Sequence, residues 1–324
     1  MKALVTGGGG FLGGAIIDQL LARGDQVRSF QRGDYPALAA KGVEVVKGDV
    51  ADAAAVIAAC EGIDVVFHVA AKAGAWGPYA EYHRANVGGT RNVLAGCRAH
   101  GVRKLVYTSS PSVVFGGGDM EGADESVPYA SHYEAPYPAT KAEAERAVLA
   151  SNGPDLATVA LRPHLIWGPG DTNITPRLIA RAKAGRLRKI GADKLVDATY
   201  IDNAAHAHLL AADRLGPEIA GKAYFIANDE PMPAFDLVNG ILDAAGLPPV
   251  TSAVPLGLAY AIGGLLEGVH GLFNLPGEPV LTRWTARELG TAHWFDLGAA
   301  KRDLGYVPLV STQEGLQRLK ASFT

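Results

Sequence analysis

Short apolar runs alternate with alanine-rich stretches of helical periodicity over the first two-thirds of the chain. The pattern predicts strands at 2–6, 26–30, 43–46, 64–69, 104–108 and 157–161. Several of these runs are almost wholly apolar, as in strands buried on both faces, and the stretches between them are long enough for crossover helices. This alternation predicts an α/β fold built on a doubly wound parallel sheet.

The alternation becomes less regular after residue 167. Glycine and proline are dense at 168–171, followed by a polar stretch at 186–197 and an apolar one at 255–273. A predicted helix at 201–213 and a predicted strand at 222–227 return the chain to the sheet in between. We therefore expect two regions, a cofactor-binding domain at 1–167 and 199–228 and a smaller, discontinuous substrate-binding region at 168–198 and 229–324.

Composition narrows the class of protein. The 324 residues are 48% hydrophobic, enough to bury a large core, and 30 basic against 33 acidic residues give a net charge of -3. Such a balance provides no basic field for nucleic acid. Cys60 and Cys97 lack metal-ligand spacing, so we expect two buried thiols and no metal site. The chain starts with a strand-like run rather than an export signal, which favours the cytoplasm.

Three glycines follow the first strand. Gly7, Gly10 and Gly13 form G-x-x-G-x-x-G, and an apolar helical pattern occupies 12–23. Missing side chains let the backbone turn tightly and approach a pyrophosphate, whose charge the N–H groups of a helix N-terminus favour. Placed between a strand and a helix, this spacing predicts dinucleotide binding in a Rossmann-type fold.

The end of the second strand bears on which dinucleotide binds. An Asp or Glu there would bind the ribose 2′-hydroxyl of NAD, but this chain has Gln31 and Arg32. A guanidinium binds a 2′-phosphate through charge-assisted hydrogen bonds, so we expect NADP(H). Alternatively, Arg32 is a solvated loop residue and Asp34 reaches the ribose.

Tyr137 and Lys141 lie four residues apart on a predicted helix and can share one face. A tyrosine hydroxyl has a pKa near ~10, and a neighbouring ammonium favours its ionised form, so this pair can transfer a proton. Ser110 follows the strand at 104–108, at the sheet edge where ligands of such folds bind, and its hydroxyl can polarise a carbonyl oxygen. Ser109 and Ser112 are alternatives. The three side chains predict carbonyl/alcohol chemistry.

At this point the chain resembles the extended short-chain dehydrogenase/reductase superfamily, and within it the 3β-hydroxysteroid dehydrogenase-like branch. The matching segments are 6–13, 48–49, 68–71, 86–90, 107–110, 137–141, 161–163, 167–170, 200–203 and 304–306. They occur in the family order and cover nearly the whole chain, so the resemblance implies the same fold and cofactor class.

The resemblance also implies residue roles. Asp49 would contact the adenine, Ala70 and Ala71 would line the cofactor, Lys141 would also hold the nicotinamide ribose, and Pro163 would lie beside the nicotinamide. The full expected cofactor site is Gly7, Gly10, Phe11, Leu12, Arg32, Asp49, Val50, Ala70, Ala71, Tyr137, Lys141 and Pro163. Asn86 and Asp202 either join backbone segments or touch the ligand, and His68 is expected to be a core histidine.

A narrower resemblance is to bacterial 2-alkyl-3-oxoalkanoate reductases of long-chain olefin biosynthesis. It is carried by 71–77, 110–113 and 279–304, although related sterol dehydrogenases share several of these strings. It implies NADPH-dependent reduction of a lipid-like 3-keto acid. The expected substrate residues are Lys72, Trp76, Ser112 and His164, with Lys72 and His164 as candidates for the carboxylate.

Three other functions stay open at this stage. A 3β-hydroxysteroid or sterol dehydrogenase and a sugar-nucleotide epimerase or dehydratase would use the same cofactor fold. A dinucleotide-sensing protein without chemistry would need the glycine loop alone, and Ser110, Tyr137 and Lys141 argue against it.

The apolar segment at 255–273 is interrupted by Glu267 and His270 and broken by glycines, so we expect it to fall short of a membrane-spanning helix. It could be a core or dimer-packing helix, a lid over an apolar substrate, or a contact with a membrane surface or a partner olefin-biosynthesis enzyme.

Overall fold

A computed structural model describes residues 1–323. Its strands are β1 (Lys2–Thr6), β2 (Gln26–Gln31), β3 (Glu44–Lys47), β4 (Val65–His68), β5 (Lys104–Thr108), β6 (Met120–Ala123), β7 (Ala157–Pro163), β8 (Ile166–Trp167), β9 (Lys189–Ile190), β10 (Leu195–Val196), β11 (Thr199–Tyr200), β12 (Ala223–Ile226), β13 (Met232–Pro233), β14 (Ala253–Val254) and β15 (His293–Phe295). Its α-helices are α1 (Phe11–Ala22), α2 (Pro36–Ala40), α3 (Ala53–Ala59), α4 (Tyr79–Tyr82), α5 (Gly89–His100), α6 (Pro136–Ala150), α7 (Ile174–Lys183), α8 (Ile201–Arg214), α9 (Ala234–Ala244), α10 (Leu256–Phe273), α11 (Arg283–Gly290) and α12 (Thr312–Ala321).

Seven parallel strands form the main sheet in the order β12-β7-β5-β4-β1-β2-β3. The chain winds outward from β1 in both directions, so the strand order reverses between β1 and β4. In open α/β sheets a ligand binds at the carboxyl ends of the strands beside this reversal. The fold therefore places the glycine loop after β1 at the expected ligand cleft, and it confirms the predicted doubly wound parallel sheet.

Two apolar layers hold the sheet between helices. On one face α1 and α8 pack against the sheet, with Ile16, Leu20 and Ala204 fully buried. On the other face α3, α5 and α6 bury Val93 and Val148. Both faces are covered, which explains why the strands are nearly continuous apolar runs rather than alternating ones.

The predicted strands of the main sheet are confirmed within one or two residues at their ends. Helix α8 and strand β12 also occupy the segments predicted at 201–213 and 222–227. Both cysteines are free and buried, as expected. The domain limits stay a prediction.

A smaller layer of short strands and helices covers the carboxyl edge of the main sheet. Its four-stranded sheet has the order β13-β10-β15-β6 and draws strands from widely separated parts of the chain. Helix α9 packs against β13 of this sheet, and α7 packs against α9. Met120 and His293 of this sheet line a cavity together with Phe11 and Leu12 at the start of α1.

Helix α10 differs from its predicted role in two respects. Its 18 residues have a mean hydropathy of 1.3, so by length and composition alone it could cross a membrane, whereas the interruptions at Glu267 and His270 predicted that it would fall short. Whether it spans a membrane stays a prediction, whereas the core-helix alternative is wrong because only 17% of this helix is buried. Glu267 faces inward and pairs with Arg283 at 2.6 Å, which leaves Leu265 and Leu272 on an exposed apolar face.

Candidate active site

The loop after β1 has a shape that only glycine permits at two positions. Gly7 has a left-handed φ of 74°, and its carbonyl oxygen accepts a hydrogen bond from the Gly10 N–H at 2.9 Å. A Cβ atom on Gly13 would lie 2.3 Å from that same carbonyl oxygen. The tight turn brings the N-terminus of α1 to the cleft, where its free N–H groups can bind a pyrophosphate.

A cavity of about 760 Å³ extends from this loop along the ends of β1, β2 and β4. It is lined by nine of the predicted cofactor residues, namely Gly7, Gly10, Phe11, Leu12, Arg32, Asp49, Val50, Ala70 and Ala71. We call it the cofactor cavity. Its glycine-lined end fits a dinucleotide phosphate, because side chains would fill the space that the pyrophosphate needs.

The charged groups at the far end of the cofactor cavity bear on the cofactor. Arg32 is exposed and lines the cavity, whereas Asp34 points to Lys47, whose ammonium donates to its carboxylate at 2.7 Å. Asp49 pairs with Arg84 at 3.2 Å, and the Ala51 N–H and this guanidinium lower the pKa of the Asp49 carboxyl. Arg84 also lines the cavity. Sequence reasoning missed this second guanidinium because it lies in a helical stretch far from the glycine loop.

A second cavity of about 410 Å³ continues from the cofactor cavity, sharing Phe11 and Leu12. It is lined by the predicted residues Ser110, Ser112, Tyr137, Pro163 and His164. We call it the central cavity. The structure thus brings three predicted residues into one cavity: Tyr137 as the proton donor, Ser110 as the hydrogen-bond donor and Pro163 as the residue expected beside the nicotinamide.

Burial raises the pKa of Tyr137 to about 12, and the nearby Ser110 hydroxyl opposes this shift. The Ser110 Oγ accepts hydrogen bonds from the Ser112 Oγ at 2.9 Å and the Ser112 N–H at 3.2 Å. Its own hydrogen is therefore free to point at Tyr137 or at a ligand oxygen. Tyr137 is in the form that donates a proton at neutral pH.

Lys141 lies behind Tyr137 and is buried. Its ammonium donates to the Thr108 carbonyl oxygen at 2.5 Å and lies 4.2 Å from the centre of the Tyr107 ring. Burial lowers the pKa of Lys141 to about 7, and the Glu145 carboxylate opposes this shift. Sequence analysis expected the ammonium to lower the pKa of Tyr137. That expectation is corrected, because the ammonium is directed at Thr108 and burial of the phenol prevails.

The central cavity also contains a cluster that no motif predicts. A ring nitrogen of His164, one of His293 and a carboxylate oxygen of Glu288 lie within 4.8 Å of one another. Burial raises the pKa of Glu288 to about 8 and lowers that of His164 to about 4. Two imidazoles and a carboxylate are also a donor set that divalent transition metals use.

The hydrogen bonds of the cluster fix which atoms accept. His164 Nδ1 lies 2.8 Å from the Asp197 carbonyl oxygen, so this nitrogen carries the hydrogen and Nε2, buried without a partner, is an acceptor. The Thr291 hydroxyl donates to the Arg287 carbonyl oxygen, so it accepts from His293 Nε2 at 2.7 Å and leaves Nδ1 as an acceptor. Two acceptors therefore face Glu288, which favours its protonated form.

Two predicted substrate residues lie elsewhere. Lys72 lines the cofactor cavity, and its ammonium pairs with Glu81 at 2.7 Å. Trp76 packs edge-on against His270 of α10, with ring centres 6.4 Å apart. Neither side chain is among the described residues that line the central cavity.

Asn86, Asp202 and His68 all have structural roles, because their side chains join separate segments of the chain. Asn86 joins the backbone of Lys72 to the Thr140 hydroxyl, and Asp202 pairs with Arg318. His68 is a buried core histidine whose two ring nitrogens meet the hydroxyls of Thr6 and Thr90, as sequence analysis expected.

Comparison with known proteins agrees with this geometry. The sequence profile of the 3-beta hydroxysteroid dehydrogenase/isomerase family matches residues 4–256. The chain is 56% identical to a 2-alkyl-3-oxoalkanoate reductase of Stenotrophomonas maltophilia over 99% of both chains, and 51% identical to one of Shewanella oneidensis over 99% of this chain and 86% of that one. Its fold matches that of Thermus thermophilus UDP-glucose 4-epimerase in complex with NAD, with a TM-score of 0.76, 24% identity and coverage of 100% and 99% of the two chains. The chain is an NAD(P)-dependent oxidoreductase or epimerase by fold and relatives, and it belongs to the 3-beta hydroxysteroid dehydrogenase/isomerase family within the extended short-chain dehydrogenases.

Proposed function

We propose that this protein uses NADPH to reduce the 3-keto group of 2-alkyl-3-oxoalkanoic acids to the 2-alkyl-3-hydroxy acids, and that it does so in the cytoplasm as a step of long-chain olefin biosynthesis. The observation that carries the proposal is the placement of Ser110 and Tyr137 together in the lining of the central cavity, with Lys141 buried behind them. The relatives at 51–56% identity support the choice of substrate.

The preference for NADPH rests on the far end of the cofactor cavity. Arg32 and Arg84 both line it, and Asp49 already has Arg84 as its partner. Asp34, which would favour NAD, is held by Lys47. A 2′-phosphate would therefore meet a free guanidinium at Arg32 rather than an unpaired carboxylate.

The chain's own groups can carry out the proton half of the reaction. The residues that line the cofactor cavity would hold NADPH, which would supply a hydride to the carbonyl carbon. Tyr137 gives its hydroxyl proton to the carbonyl oxygen, which becomes the alcohol, and Ser110 donates a hydrogen bond to that oxygen as its charge develops. The Tyr137 phenolate then remains until a proton is returned, and Lys141, whose ammonium contacts Thr108 rather than the phenol, acts on it only through its charge. The same groups would serve the reverse oxidation.

The acid group of the substrate requires a partner in the central cavity. His164 is there, and Glu288 beside it is a protonated donor at neutral pH because of its raised pKa. We propose Glu288, rather than Lys72, as the group that donates to the carboxylate, because the Nε2 of the neutral His164 ring is itself an acceptor.

A substrate panel tests the proposal. Oxidation of 2-alkyl-3-hydroxy acids and of 3β-hydroxysteroids should be followed side by side through the absorbance of the reduced cofactor, with NADP⁺ and with NAD⁺. We expect the hydroxy acids with NADP⁺ to give the highest kcat/KM. A clearly higher kcat/KM for the steroids would overturn the substrate assignment, and turnover without net release of reduced cofactor would indicate an epimerase.

A further inference from the structure

A third cavity, of about 250 Å³, adjoins the central cavity and lies between α7, α9 and the segment before α11. Leu165, Ile174 and Thr285 line both cavities, so the two spaces meet at these side chains. We call the third space the side cavity.

The interior of the side cavity is apolar. Trp167, Phe235 and Ile241 are buried in its wall, and Val238 of α9 completes it. Glu288, which lines both cavities, is neutral because burial raises its pKa to about 8, and the arginines and Glu278 in the lining have partners inside the protein. Arg177 pairs with Glu278 at 3.2 Å, and Arg181 donates to the Val280 carbonyl oxygen at 2.9 Å. The space therefore suits a hydrocarbon and offers little to a charged group.

The junction with the central cavity is backbone-strained. Leu165 has a φ of 41°, a left-handed conformation that is unusual for a bulky residue. The residue is 39% exposed and lines both cavities. Strain of this kind persists where the surrounding structure fixes it, often at ligand sites. Here it holds a leucine side chain at the opening between the two cavities.

We propose that the side cavity binds one of the two alkyl chains of the substrate and that it sets the chain length accepted on that arm. The proposal rests on the proposed function for the identity of the substrate. The keto acid head lies in the central cavity beside Ser110 and Tyr137, and one hydrocarbon chain passes Leu165 into the side cavity.

The test uses a tryptophan placed inside the cavity and the same substitution outside it. Val238→Trp fills the side cavity, whereas Val307→Trp changes a valine that is 66% exposed and lines neither cavity. Two series of 2-alkyl-3-hydroxy acids, with one chain lengthened at a time, are assayed by oxidation with NADP⁺. A buried methylene contributes about 0.8 kcal/mol, so kcat/KM should rise about fourfold per methylene in the series that enters the side cavity.

We expect Val238→Trp to lower the long-to-short ratio of kcat/KM in one series, by about sixtyfold if three methylenes are excluded, while Val307→Trp keeps the wild-type ratio. Val238→Ala, which enlarges the space and spares the fold, should extend the longest accepted chain. Unchanged ratios in both Val238 variants, or equal losses for short and long members, would overturn the proposal.

A binding measurement separates this proposal from the proposed function. The fluorescent C18 fatty acid cis-parinaric acid is titrated into the wild type and both tryptophan variants without turnover. We expect at least tenfold weaker binding in Val238→Trp alone, and equal binding in all three proteins contradicts the proposal. If the hydroxy acids are not oxidised but this difference is present, the proposed reaction fails and the hydrocarbon site stands.

Discussion

Removing the Arg32 guanidinium tests the cofactor assignment without any assumption about the substrate. In Arg32→Ala the cofactor cavity keeps its glycine loop and the Asp49–Arg84 pair, because the hydrogen bonds that hold them do not involve Arg32, whose charge only adds to the lowering of the Asp49 pKa. The variant should therefore bind NADH as the wild type does. Only NADPH presents a 2′-phosphate that would lose a partner.

The size of the loss follows from the exposure of Arg32. A hydrogen bond to a charged group contributes about 1.5–3 kcal/mol, and solvent screening of this exposed side chain puts the expected value near the lower limit. That corresponds to about tenfold in Kd for NADPH. Binding is measured by fluorescence titration of each reduced cofactor, which needs no turnover.

Two further variants complete the design. Arg103→Ala removes a guanidinium that is 72% exposed and paired at the surface with Asp155, so it should leave both affinities unchanged. Asp34→Asn tests the alternative that this carboxylate binds the ribose, and we expect no change for NADH because Asp34 faces Lys47. Equal losses of NADPH and NADH affinity in Arg32→Ala would refute the reasoning, as would a selective loss of NADH affinity in Asp34→Asn.

The other predictions concern residues of the central cavity and the buried ion pair between Arg162 and Glu145. Tyr137→Phe should reduce kcat by more than a thousandfold and leave the NADPH Kd within about threefold, since it removes a general acid but keeps the ring; activity within tenfold of wild type would exclude the role. Lys141→Ala should lose both turnover and cofactor affinity in the same two assays. Arg162→Ala should destabilise the fold by about 3–5 kcal/mol in urea unfolding, because it strands the buried Glu145 carboxylate, now paired at 2.6 Å. Burial raises the pKa of the Glu288 carboxyl from 4.5 to about 8, so its neutral form stabilises the fold fully below pH 4.5 and that stabilisation is lost as the pH rises to about 8. The melting temperature of the wild type should therefore fall relative to that of Glu288→Gln between these pH values. A constant difference between the two melting temperatures would contradict the shift.

The cofactor half of the site could be predicted from the sequence because its signals are local. Gly7, Gly10 and Gly13 lie within seven residues of the sequence, and their loop directly follows a strand that the apolar pattern predicts. Tyr137 and Lys141 are one helical turn apart, so their shared face follows from helix geometry. The pKa of Tyr137 could not be predicted, because it depends on burial by elements far away in the chain.

The substrate half is assembled from segments without a common spacing. His164 follows β7, Glu288 is on α11 and His293 begins β15, and only the packing of the small sheet brings them within 4.8 Å. The same packing positions Trp284 of α11, whose ring centre lies 6.5 Å from that of Tyr137. Because α11 and β15 carry this wall, a change in that region can alter the substrate while Ser110, Tyr137 and Lys141 keep their positions on the main sheet and α6. Reductases of different substrates can therefore share the same proton donor, and the identity of the substrate has to be sought in the wall opposite to it.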